Sequence, residues 1–141
     1  MQIEQLTNYI NNDEYSCVIL KNNEVLTSNL NGIKPVMQWL KQDIHFFDDC
    51  EIADKIVGKA AALLFVLGKA KSVYGKVMSE GAVSVLEQNN IPYSYEELVE
   101  HISNRTNTGI CPMEETVLEI SSPMIAYEAL QKKIAELMAN K

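Results

Sequence analysis

The sequence predicts a single α/β domain, with helices layered on a mixed sheet and a hairpin at one side. Three observations carry that expectation. Two β-type runs, Tyr15–Leu20 and Glu24–Ser28, flank Asn22-Asn23, a pair that tolerates positive φ and suits a tight turn. The stretch from Ile52 to Leu67 is apolar nearly all round, as expected of a helix covered on most sides. The second half alternates strand-like with helix-like segments, the order that builds helices onto a sheet.

In chain order, Ile3, Leu6, Tyr9 and Ile10 fall on one helical face, so residues 2–12 read as a helix that Asn11-Asn12-Asp13 breaks. After the hairpin, Gly32 ends the unit and Pro35 sets the first turn of a short helix to about Gln42. The core helix then runs from Ile52 through Ile56, Val57, Ala60 and Leu64 to a Gly68 cap. Ser72–Met78 has β character, with Val73 and Val77 on one side and Tyr74, Lys76 and Met78 on the other. Ser79 is a natural N-cap for a helix through Asn89. A short strand, Ile91–Tyr95, and a short helix, Glu96–Ile102, follow. Residues 104–109 form a polar loop; Pro112 opens a helix to about Ile120, and Ser122-Pro123 starts the terminal helix.

Composition narrows the function classes. The 141 residues suit one domain, 47% hydrophobic and 22% charged. A net charge of −7 sets the chain against nucleic-acid backbones and against a polybasic membrane anchor. No apolar run approaches the roughly 20 residues of a membrane span, and Met1-Gln2-Ile3-Glu4-Gln5 does not read as a signal peptide. The expectation is a cytoplasmic protein with no nucleic-acid or membrane partner; homo-oligomerisation stays open. Cys17, Cys50 and Cys111 form no Cys-x-x-Cys pair, and His45 and His101 have no ligand spacing, so neither a disulfide framework nor a metal site is expected. No cofactor is implied.

Four segments offer chemistry. On the predicted core helix, Lys55 and Lys59 stand one turn apart beside Asp54 and Gly58, so their ammonium groups converge as a phosphate or carboxylate clamp. The alternative is that both lysines snorkel from the edge of a packed helix. Cys111, just before Pro112, lies where a helix N-terminus favours a thiolate, with Glu114 and Glu115 in the same first turn. It reads as a nucleophile or as a small buried hydrophobe. Val77-Met78-Ser79-Glu80-Gly81-Ala82 has the outline of an anion-binding turn without the lysine of a P-loop. Arg105 in the polar loop brings a guanidinium that suits phosphate.

Taken together, Glu14-Tyr15-Ser16-Cys17-Val18, Gly32-Ile33-Lys34-Pro35, Ala53 through Ala62, Ser79-Glu80 and Cys111-Pro112-Met113-Glu114 resemble an uncharacterised prokaryotic family called domain of unknown function 1893. The resemblance spans about Glu14 to Leu137. That family is placed in the cytidine-deaminase-like superfamily, which implies a three-layer α/β/α sandwich around a mixed sheet. It also implies a cleft at two helix starts, lined here by Asp54, Lys55, Gly58, Lys59, Ser79 and Glu80 and closed by Cys111, Glu114 and Arg105. Zinc deaminases need His-x-Glu or Cys-x-Glu on one helix and Pro-Cys-x-x-Cys on the next. This chain offers Asp54-Lys55-Ile56 or Val57-Gly58-Lys59 at the first and Met78-Ser79-Glu80 at the second, so classical zinc-dependent deamination is not expected.

The resulting expectation is a zinc-free binding or sensing protein for a small anionic, nucleotide-like ligand. The rivals are a metal-independent enzyme that uses Lys59 with Asp54 or Cys111, and an interaction protein without a small ligand.

Overall fold

The computed structural model describes residue 10 and residues 15–29, 33–103 and 109–139. The hairpin is β1 (Cys17–Lys21) and β2 (Glu24–Ser28), antiparallel with Lys21 opposite Glu24. Asn22 and Asn23 take φ values of 52° and 67°, the left-handed pair that a two-residue hairpin turn demands. Helix α1 (Lys34–Gln42) follows, with Pro35 in its first turn.

The next segment departs from expectation. Glu51–Val57 is a strand, β3, and only Lys59–Leu67 is helical, as α2. Strand β3 pairs antiparallel with β1 and parallel with β4 (Ser72–Ser79), so Ile52, Ala53 and Asp54 are buried. A strand covered on both faces reads as a continuous apolar run, and such a run mimics a core helix. The central sheet therefore holds the first half of the predicted helix.

Helix α3 (Glu80–Gln88) begins at Ser79, as the capping residue predicts. Strand β5 (Tyr93–Val99) then extends parallel to β4 as far as Ser79↔Val99. The helix expected over Glu96–Ile102 is thus replaced by an edge strand: the free ladder of β4 outweighs the modest helix preference of two glutamates. Helix α4 is short, Pro112–Thr116, because Val117 turns in and is fully buried. The terminal helix is α5 (Pro123–Ala139).

The sheet order is β2-β1-β3-β4-β5. Two parallel crossovers carry α2 and α3, and α2 packs against α1, α3, α4 and α5. Its residues Ala60 to Phe65 are all buried, so the apolar second half of the predicted core helix is indeed central. Trp39, Phe46, Phe47 and Phe65 stack edge-on and face-on with centroids 5.3 to 6.1 Å apart, fastening α1 and the following turn to α2. Cys17, Ile19 and Ile52 face this helical layer. Val18 and Ala53 face the other way, against Ile10, the one described residue of the predicted 2–12 helix. No helix among the described residues is long and apolar enough to cross a membrane.

Candidate functional site

In open sheets of this kind, ligands sit outside the carboxyl ends of the parallel strands. Here those ends are Val57-Gly58, which starts α2, and Ser79, which starts α3. Ser79 is buried, and its hydroxyl oxygen accepts from the Ala82 N–H at 3.1 Å. Removing that cap with Ser79→Ala is expected to lower stability by about 1 kcal/mol, read from the urea midpoint. Glu80 in the first turn of α3 is exposed.

Helix α2 has no side chain of its own to cap it, because its N-cap is Gly58. Its cap comes from α4. Glu114 reaches across, and its Oε1 accepts the Lys59 N–H at 2.7 Å while Oε2 accepts the Ala60 N–H at 2.8 Å. Gly58 makes this approach possible: a Cβ there would lie 2.2 Å from Glu114 Oε1. Glu114 is only 8% exposed, and burial pushes its carboxyl above the usual range, against the opposing pull of the two N–H groups and the Lys59 charge. The positive end of α2 therefore already holds an anion, one supplied by the protein itself.

Lys59 is the first residue of α2, and its side chain takes a defined path. The stem runs over Gly81 of α3, where a Cβ would meet Lys59 Cβ at 3.4 Å. Its Nζ donates to the Leu118 carbonyl at 2.8 Å. Beside it, a groove of about 200 Å³ lies between α2 and α3. Leu63 and Val85 line it with apolar surface, while Ser84, Gln88, Asn89 and Ser121 supply hydroxyl and amide groups.

The expected lysine pair is not assembled as proposed. Lys55 lies on β3 and Lys59 on α2, so the one-turn spacing that would bring their ammonium groups together is absent. Asp54 also leaves the helix N-terminus. It sits on β3 directly opposite Cys17 of β1, 5% exposed, under the helical layer. Burial raises its pKa to about 7, although the Ile56 N–H and the Cys17 thiol both favour the charged form. The thiol is fully buried, and desolvation followed by the Asp54 charge pushes its pKa up. Cys111 is the half-buried N-cap of α4, with its main-chain N–H bonded to Ile102 O at 3.0 Å. Arg105 lies outside the described residues. Among the described residues, no three of His, Cys, Asp and Glu gather where a metal could bind.

So the fold brings Gly58, Lys59 and Glu114 together, places the Ser79 turn alongside, and sends Asp54 into the core. Sequence reasoning picked out the turn that holds Gly81 but missed the α3 face of the groove beyond it and the partnership of Cys17 with Asp54. It did bring Glu114 to the cleft at these helix starts but not its bond to α2, for which a signal existed: a helix start with glycine at its cap needs an acceptor from elsewhere.

Residues 5–134 match the family model described as Domain of unknown function (DUF1893). Among solved structures, the chain is similar to the crystal structure of a DUF1893 family protein from Thermotoga maritima. The two share 24% identity with a TM-score of 0.83, covering 93% of this chain and 88% of that one. None of the curated proteins compared with the chain matches it.

Proposed function

The chain belongs to the DUF1893 family, and from that premise we propose that it is a zinc-free binding or sensing protein for a small anionic, nucleotide-like ligand. The same reading takes the mixed sheet as the centre of a cytidine-deaminase-like, three-layer sandwich. One observation carries it: the groove between α2 and α3 runs from Lys59 and Gly81, at the starts of the two helices, and among the described residues Lys59 is its one charged lining residue. The Lys59 ammonium rests on a neutral carbonyl in a solvent-accessible position. A phosphate or carboxylate oxygen is the stronger acceptor and displaces that contact. Because Glu114 fills the α2 N-terminus, the ligand anion is assigned to the lysine and not to the helix end.

The test is thermal denaturation with inorganic phosphate and nucleoside monophosphates at millimolar concentrations. Binding at 100 times Kd adds about 2.7 kcal/mol, a shift of several degrees for a domain of this size. Lys59→Ala is expected to fold normally, since alanine suits a helix, and to lose most of the ligand-induced shift. A Lys59→Ala protein that responds as fully as the parent removes this reading.

A further inference from the structure

The geometry points to a groove that holds the phosphorylated sugar of its ligand and leaves the base outside. This rests on the anionic-ligand reading above and specifies which part of such a ligand the protein reads. The groove has a polarity along its length. At one end are Lys59 and Gly81, at the starts of α2 and α3; at the other are Gln88 and Asn89, where α3 finishes. The eight steps from Gly81 to Asn89 span about 12 Å of helix axis, so charge and amide groups stand well apart. Ser84 lies one turn in from the charged end, and Ser121 faces the same space. A ligand complementary to that order carries an anion at one end and hydroxyl groups along its body.

Two features set a base outside. At about 200 Å³ the groove falls below the roughly 300–1,000 Å³ of sites that enclose drug-sized ligands. Among the described residues its lining also contains no aromatic ring and no arginine, the groups on which a base stacks. The polar groups, by contrast, suit a polyol. The Gln88 amide nitrogen donates to the Ser84 hydroxyl at 3.2 Å, and the Asn89 amide nitrogen donates to the Val85 carbonyl at 2.8 Å. Those bonds orient the side chains and leave the Gln88 and Asn89 amide oxygens as acceptors for sugar hydroxyls.

The experiment compares apparent affinities of the whole chain, from thermal shift and calorimetry, for inorganic phosphate, ribose 5-phosphate, uridine and adenosine monophosphates, and uridine. Ribose 5-phosphate is expected to bind at least tenfold more tightly than phosphate. The two monophosphates should fall within about threefold of ribose 5-phosphate, and uridine should not bind. Gln88→Ala, at an exposed helical position, should cut the ribose 5-phosphate affinity about fivefold or more and leave the phosphate affinity unchanged. If either monophosphate binds more than tenfold more tightly than ribose 5-phosphate, the base is read and the inference fails while the anionic-ligand reading stands. If phosphate equals ribose 5-phosphate, the polyol wall plays no part and the inference again fails. Silence of every probe overturns both.

Discussion

Gly58→Ala is expected to destabilise the protein by about 2–4 kcal/mol, a loss far beyond what a surface glycine would show. The backbone is not the reason. Gly58 has φ −95° and ψ −177°, an extended conformation open to any residue. The cause is the carboxylate that occupies the space a Cβ would take, 2.2 Å from Glu114 Oε1. Glu114 has a flexible side chain and can swing away, but it then abandons the Lys59 and Ala60 N–H groups at the start of a buried helix. Each lost bond to a charged acceptor is worth roughly 1.5–3 kcal/mol, and the displaced charge sits in a poor dielectric. The measurement is a double-mutant cycle by urea denaturation. Glu114→Ala alone should cost a similar amount, and Gly58→Ala added to it should cost well under 1 kcal/mol, since nothing remains to collide. Equal costs of Gly58→Ala in both backgrounds would show that the two residues are not coupled.

The second large effect is a dependence of stability on pH that runs through Asp54. Its pKa rises from 3.8 to about 7 in the folded protein, so the native state keeps a proton that the unfolded chain has released. The stabilisation from that proton is complete below the unfolded pKa near 4 and disappears as the pH rises through 7. A shift of about three units at 1.36 kcal/mol each amounts to roughly 4 kcal/mol in all, of which about 2.5 kcal/mol is lost between pH 5 and pH 8. Glu114 acts in the same direction, its pKa also being raised by burial. Asp54→Asn keeps the shape and an acceptor for the Ile56 N–H while removing the charge. The variant should therefore show a much shallower decline, left to Glu114 and the remaining carboxylates, and should be more stable than the parent at pH 8. Parallel curves for the two proteins between pH 5 and pH 8 would remove Asp54 as the source.

Both predictions rest on contacts that join distant parts of the chain, and there lay the limit of reading the sequence. The hairpin was legible because Asn22-Asn23 carries its own backbone preference, whatever surrounds it. The Ser79 cap was legible for the same reason, since the hydroxyl bonds three residues on. The segment from Ile52 to Leu67 was half misread. Of its four β-branched members, Ile52, Ile56 and Val57 precede Gly58 and only Val66 follows, whereas alanine and leucine dominate after it. That change of composition marks the boundary between β3 and α2, but an apolar run covered on every side has no period to announce it. Glu96-Glu97 misled in the opposite sense, because an unpaired edge of β4 recruited them into a strand.

The candidate site divides along the same line. That Ser79 starts a helix follows from local residues, whereas the place of Lys59 at a helix start does not, because local pattern puts it inside a helix begun near Ile52. That Glu114 rather than a ligand satisfies α2, and that Asp54 lies against Cys17, follows from pairings 55 and 37 positions apart in the chain. Local sequence by itself determined the hairpin turn, the Ser79 cap, and an acidic chain built to bury a central apolar segment, because short-range sterics and hydrogen bonds decide those. Tertiary structure alone decided which charges meet. A carboxylate is drawn to whichever buried N–H group the packing leaves unsatisfied, and no spacing in the sequence records where that will be.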